Sequence, residues 1–296
     1  MTDARTLTAA LGGKWSGGSG SARCPAHDDR NPSLSIKDGA DGKLLLHCHA
    51  RCDYRDVRAA LCEQGLMEGS GGARPIGPIV QDQREQAERA YHAKRTRQAL
   101  DLAEKATPIA GTVAERYIRS RGITCQLPHS MFYMETCWHQ SAQRFPALIS
   151  LIKETLHGNT CAVHRTYLRA DGQGKADVFP CKTMLGPARG GAVHLSNDPG
   201  PLVVAEGLET ALSLRSGIFP HPGSVWAALS APGMKVLHLP PVPGELVIAP
   251  DGDPVGRAAA EALATRAHGL GWRVSLFPPP DGFDWNDVLT GKAVMP

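Results

Sequence analysis

The chain has 296 residues, 42% apolar and 21% charged, with 32 Lys and Arg against 29 Asp and Glu. No run of 18 apolar residues and no charged-then-apolar leader occurs in it, so neither a bilayer-spanning helix nor a secretory signal is expected, and the cytoplasm is the expected location. The net charge of +3 conceals an asymmetry: residues 81–190 carry 16 basic against 10 acidic side chains, whereas residues 191–296 carry 6 against 10. Basic surface suits phosphate backbones, and acidic surface at a strand edge suits cations.

Residues 1–65 read as a metal-stapled module. Their start, 12-GGKWSGGSGS-21, is too rich in Gly and Ser to build a core unaided. Cys24-Pro25-Ala26-His27 offers two ligands, and Cys48 and Cys52 offer two more after 20 intervening residues. Between the pairs, 33-SLSI-36 and 43-KLLLHC-48 predict strands joined at 38-DGADG-42, a hairpin that brings the ligands together. Three thiolates and an imidazole make a closed tetrahedral set for structural Zn2+, with no position left for a reactive water. The second pair is spaced Cys-x3-Cys, so His49 with Cys52 is an alternative to Cys48. Strand alternation, which turns His47 and His49 away from the side that Cys48 uses, favours Cys48. The other cysteines, Cys62, Cys125, Cys137, Cys161 and Cys181, have no such spacing and read as idle thiols.

A linker over 66–80 follows, with 68-EGSGGARPIGPIV-80 predicting a flexible tether. The basic α+β subdomain over 81–190 opens with a helix over 81–106, whose thin apolar seam is Ala90, Ala93, Leu100 and Ala103. Its Lys94, Arg95 and Arg97 suit either solvent or nucleic acid. Next, 107-TPIAGTVAERYIRSRGI-123 predicts a short helix with Thr112 as N-cap and Arg116, Arg119 and Arg121 toward its end. The runs 147-ALISLI-152 and 161-CAVHRTYL-168 predict antiparallel strands turning at Gly158-Asn159. Arg165, and Lys175 and Lys182 in the Gly-broken segment that follows, are placed to hold nucleotide or template phosphates.

Over 191–296 the apolar runs 201-PLVVA-205, 224-SVWAAL-229, 245-ELVIA-249 and 272-WRVSLF-277 alternate with 207-GLETALSLRSG-217, a Pro-broken connector near 231-APGMK-235 and a helix over 255–271. That pattern predicts a Rossmann-like parallel sheet covered on both faces. Glu206 closes the first run, and Asp251 and Asp253 flank Gly252 after the third. A last acidic turn, 281-DGFDWNDVLTG-291, adds Asp284 and Asp287. Carboxylates crowded at the carboxyl edge of such a sheet repel one another unless a hard cation, Mg2+ or Mn2+, neutralises them. Asp253, before Pro254, also fits a plain helix N-cap.

Two resemblances join these pieces. CPAHDDRNPSLSI followed by LLLHCHARCDYRDV resembles the zinc-binding domain of bacterial and phage DNA primases, which in that family reads the single-stranded template. 205-AEGLETALS-213, 250-PDGDPVGRAAA-260 and 284-DWNDVL-289 resemble the Toprim domain of primases from phages, plasmids and other mobile elements. The resemblance implies a DNA primase making short RNA primers on single-stranded DNA from ribonucleoside triphosphates. It implies Asp251 and Asp253 as magnesium ligands, and Glu206 as the group that activates the attacking hydroxyl or orients that metal. Many bacterial primases carry an acid four residues after the Glu. Here Thr210 stands there, which shifts part of the metal binding to Asp284 and Asp287. No Walker-type motif occurs, so unwinding is expected from a separate helicase. The rivals are a Toprim nuclease or topoisomerase using the same acids and a non-catalytic zinc-bearing DNA-binding factor. The five tyrosines all precede the Toprim-like region, which disfavours a topoisomerase, and the intact acids disfavour the second rival.

Overall fold

The computed structural model describes residues 3–16, 18–29, 31–39, 43–67, 78–155 and 158–293. Most of the expected tether, residues 68–77, and the tip of the first hairpin, residues 40–42, lie outside the described residues. The chain divides into two compact units, Met1–Gln83 and Arg84–Pro296.

In the first unit, α1 (Ala4–Ala10) is N-capped by Asp3, whose carboxylate accepts the Thr6 amide. It packs on an antiparallel sheet in the order β1 (Lys14–Ser16), β2 (Ser19–Ala22), β3 (Leu34–Asp38) and β4 (Leu44–Cys48). α2 (Tyr54–Glu63) follows. The predicted hairpin is thus half of a larger sheet. The Ser- and Gly-rich start supplies the other half because small residues let α1 lie close: a Cβ on Gly20 would run into the Thr8 side chain. Ala4, Leu7, Ala22, Leu34, Ile36, Val57 and Leu61 make the core.

The next helix, α3 (Pro78–Glu104), starts inside the expected linker, and its greater part belongs to the second unit. Its contact stripe differs from the expected seam. Ala99 is fully buried with Leu102 and Ala103 packed beside it, whereas Ala90 and Ala93 are exposed. The helix therefore meets the body through its C-terminal part, from Thr96, whose hydroxyl donates to the Cys161 carbonyl at 3.2 Å, onward. Then come β5 (Thr107–Pro108), α4 (Val113–Ser120), β6 (Met131–Trp138), β7 (Arg144–Lys153), β8 (Thr160–Tyr167) and β9 (Lys182–Leu185). Thr112 caps α4 as predicted, and β7 and β8 pair antiparallel as predicted. β5 to β9 form one antiparallel sheet in sequence order. β6 escaped the sequence reading because a bulge between Met134 and Cys137 interrupts its alternation.

β10 (Val193–His194), β11 (Leu202–Ala205), α5 (Leu208–Ser213), β12 (Ser224–Ala227), α6 (Ala231–Val236), β13 (Glu245–Ala249), α7 (Pro254–Gly269), β14 (Arg273–Leu276) and α8 (Trp285–Leu289) complete the chain. The second sheet runs β10-β12-β11-β13-β14, parallel except for β10. All four predicted strands are present. The Pro-broken connector is instead the helix α6: Ser230 caps it, and a proline in the first turn forfeits no hydrogen bond. Leu148, Ile152 and Ala162 from one sheet share a core with Val203, Leu208, Leu212 and Trp285, so the polypeptide on either side of residue 190 closes around common packing.

His164 on β8 faces this interior and is almost fully buried. Burial, followed by the charge of Lys182, pushes its pKa down to about 4. The folded state therefore holds it neutral, and its contribution is present above the unfolded value near 6.5 and is lost as pH falls through about 4. Urea titrations of wild type and His164→Asn from pH 7 to 4 should show a smaller acid-side loss in the variant, by on the order of 3 kcal/mol. Parallel pH slopes would contradict a buried neutral imidazole.

Candidate functional site

The four ligands of the first unit converge. Single donor atoms from Cys24, His27, Cys48 and Cys52 all lie within 4.8 Å of one another, a Cys3His set that could hold zinc. His27 Nδ1 is 3.2 Å from Cys52 Sγ. Its other nitrogen lies 3.6 Å from Asp29, the kind of outer carboxylate that fixes a ligand histidine's tautomer. Asp29 also accepts the Cys24 amide at 2.7 Å and the Ser33 hydroxyl at 2.6 Å, and these bonds lower its pKa to about 2. Burial and the neighbouring thiols push Cys24 up to about 12. For Cys48, burial is outweighed by the amides of Cys52 and Ala50 and the Ser33 hydroxyl, which bring it to about 7. Such amide donors stabilise a thiolate, the form that binds metal. His49 is turned outward to Ser35 Oγ at 2.8 Å, so Cys48 is the member that joins the set. Asp29 was missed, although an acid two residues after His27 was a legible signal.

In the second unit, β11 and β13 are adjacent and parallel with Ala205 opposite Ala249, so Glu206 and Asp251 leave the same sheet edge. Glu206 Oε2 is buried without a hydrogen-bond partner. Burial, then the charges of Asp251 and Asp253, raises Glu206 to about 7. Asp251 is raised to about 6 by burial and then by Asp284, although Thr210 Oγ1 donates to its Oδ1 at 3.1 Å. An orphaned carboxylate oxygen beside a second acid whose charge is also disfavoured fits a hard divalent cation. Gly256 keeps that space open, since a Cβ there would stand 3.1 Å from Glu206 Oε2 and 2.5 Å from the Asp251 carbonyl oxygen.

The remaining acids have other work. Asp253 is exposed and caps α7, accepting the Gly256 amide at 2.6 Å. Asp284 caps α8 through the Asp287 amide at 2.8 Å, and Asp287 reaches back to the Asp284 amide and to Lys292. Gly252 is needed for close approach: its amide donates to the Phe283 carbonyl at 2.8 Å, and a Cβ would fall 2.5 Å from the Pro280 carbonyl oxygen. Arg257 Nη1 clamps the same two loops through the Gly252 carbonyl at 2.7 Å and Asp281 at 2.9 Å. Among the described residues, the Cys3His set is the one group of three or more His, Cys, Asp or Glu side chains gathered tightly enough to hold an ion.

Of the three predicted phosphate-binding cations, two come together. Lys175 and Lys182 each lie 3.1 Å from a different oxygen of the buried Glu209. Tyr117 donates to Glu209 Oε1 at 2.7 Å. Burial opposes the charge on Glu209, but the two ammonium groups and the Tyr117 hydroxyl hold it well below the usual carboxylate range. Arg165 stands apart. It pairs with Thr183 while Thr166 pairs with Lys182, so alternation sends Arg165 to the opposite face of that sheet from Lys182. There its guanidinium lies 5.8 Å from the centroid of the Tyr167 ring. Arg97 of α3 pairs with Asp101 at 2.9 Å. Glu209 carries no spacing signal in the sequence; every residue of α5 is buried, which makes its charge conspicuous.

Elemental analysis of the full chain should give one zinc per molecule. Cys48→Ser should lower that stoichiometry, whereas His49→Ala should keep it. Strong chelation should unfold the first unit, because binding free energy at such a site is folding free energy. Retention of zinc in Cys48→Ser, with its loss in His49→Ala, would reassign the fourth ligand.

A family model described as a Toprim domain matches residues 201–293, and one described as a domain of unknown function (DUF7146) matches residues 93–195. No curated protein matches the chain. Similar solved structures include the Aquifex aeolicus primase comprising zinc-binding and RNA polymerase domains, at 14% identity over 98% of this chain and 80% of that one, with a TM-score of 0.43. The primase fragment of the bacteriophage T7 primase-helicase protein is 12% identical over 92% and 95%, with a TM-score of 0.38. A DNA primase domain from Pseudomonas aeruginosa is 19% identical over 59% and 54%, with a TM-score of 0.31. Among the described residues no helix is long and apolar enough to cross a membrane. Residues 201–293, which carry Glu206, Asp251 and Asp253, are a Toprim domain.

Proposed function

We propose that the protein is a DNA primase that joins ribonucleotides into short RNA primers on a single-stranded DNA template, in replication of cellular or mobile-element DNA. The observation that carries this reading is the pairing of Glu206, with its orphaned oxygen, and Asp251 at a Toprim sheet edge, with Lys175 and Lys182 held in the same unit. A carboxylate pair alone suits many reactions of phosphate esters. Two lysines in the same unit add what a triphosphate substrate needs, point charges that meet non-esterified oxygens.

In this reading Glu206 and Asp251 hold Mg2+ or Mn2+, with Asp253 and Asp284 at the rim and Asp287 behind Asp284. When bound, the ion supplies positive charge to the reacting phosphate. Glu206, whose second oxygen lacks a partner, is suited to orient that ion and the attacking hydroxyl beside it. Lys175 and Lys182 neutralise the phosphates that leave as pyrophosphate. The Cys3His module selects the template, Arg165 and the arginines of α3 contact its backbone, and a separate helicase supplies unwinding.

The test is primer synthesis on single-stranded DNA with labelled ribonucleotides and magnesium. Wild type should make short oligoribonucleotides, and Asp251→Asn should reduce them by on the order of a hundredfold or more, the scale of losing one preorganised electrostatic contact. Template degradation without new oligonucleotides would replace a primase with a nuclease. Equal synthesis by both proteins would remove Asp251 from the site.

A further inference from the structure

Glu209 lies three residues after Glu206 and does a different job. Its side chain is 7% exposed, yet it receives three donors from outside its own helix: Tyr117 from α4, Lys175 from the loop after β8, and Lys182 from the start of β9. Both lysine side chains remain about one-third exposed, at 32% and 34%. One buried carboxylate is thus matched by two half-open ammonium groups. Taking a second cation partly out of water to meet one carboxylate adds a desolvation cost. The cluster therefore carries one positive charge more than Glu209 balances.

The surroundings define where that charge acts. Lys182 favours the charged form of Glu206 and Asp251 as well as that of Glu209, so its charge is felt at the acidic sheet edge. Arg121, the C-cap of α4, His164 on β8 and Cys181 beside Lys182 are further ionisable groups around Tyr117, Lys182 and Glu209. Each ammonium group meets a different oxygen of the same carboxylate, so Glu209 sits between two like charges. Without Glu209 they would repel and separate.

We infer that Glu209 is a positioning residue that clamps Lys175 and Lys182 at fixed spacing as a receptor for a polyphosphate chain, the triphosphate of the incoming nucleotide. The assignment of that triphosphate rests on the primase reading; the polyphosphate receptor itself does not. The split of the two lysines between the two carboxylate oxygens sets their separation, and Tyr117 fixes the carboxylate's rotation. α5 carries this anchor on the helix that directly follows Glu206, so the receptor and the acidic edge share one rigid element.

Two effects of removing the Glu209 charge oppose each other, and the experiment reads their sign. By charge alone, Glu209→Gln makes the site more positive and should tighten anion binding. By position, it frees the lysines and should weaken it. The full zinc-loaded chain is titrated with inorganic tripolyphosphate by calorimetry, without template or nucleotide. Wild type should bind. Glu209→Gln should bind on the order of tenfold more weakly, the scale of one lost charge-assisted hydrogen bond. Glu209→Asp should recover part of that loss, and Tyr117→Phe, which keeps the packing, should lose a smaller part. Thermal melts of each variant report folding separately. Absence of binding by wild type, or unchanged or tighter binding by Glu209→Gln, overturns the inference even if primers are made. Glu209-dependent tripolyphosphate binding by a chain that makes no primers supports the receptor while the primase reading fails.

Discussion

The parallel register of β11 and β13, with Ala205 opposite Ala249, sends Glu206 and Asp251 out of the same edge of the same sheet. Both are partly buried; burial and then the charge of Asp251 raise Glu206, and burial and then the charge of Asp284 raise Asp251. The surrounding loops are built to sustain that crowding. Thr210 donates to Asp251, Gly256 leaves room beside the orphaned Glu206 oxygen, and Gly252 with Arg257 ties the Asp251 loop to the loop before α8. An acid buried with an unpartnered oxygen costs local stability, and perturbed acids of this kind cluster at functional sites.

The second unit works as one body because its two sheets share a core, and that packing carries cations to the acidic edge. Lys175 and Lys182 come from the antiparallel sheet and its loops, whereas Glu209 comes from the Toprim helix α5. Positive and negative groups on separate elements are thereby held 3.1 Å apart, two cations to one carboxylate. Asn286 strengthens the same junction from the far side, donating to the Arg121 carbonyl at 2.8 Å and to Ser213 Oγ at 3.0 Å.

Much of this was legible in the sequence where one local rule decides the outcome. The four apolar runs became parallel strands because β-branched and apolar residues between helices have few other solutions. The Cys24, His27, Cys48 and Cys52 set followed from two ligand pairs flanking a hairpin, and strand alternation chose Cys48 over His49. What escaped depends on tertiary contact. Alternation along β8, applied to Arg165 and not only to the hairpin, would have separated it from Lys182, but that needed the register with β9. Glu209 carries no spacing signal, because its partners lie 27 to 92 residues away. Ala90 and Ala93 keep helical spacing yet stay exposed, since periodicity marks a face and not how far along the helix the neighbour extends.

The central claim is that Glu206 and Asp251 form a cation site. Manganese binding by electron paramagnetic resonance tests it most directly, on the zinc-loaded chain without nucleotide or template. One Mn2+ per chain, displaced by Mg2+ and weakened in Glu206→Gln, is the result expected. Equal Mn2+ affinity in wild type and Glu206→Gln would contradict it.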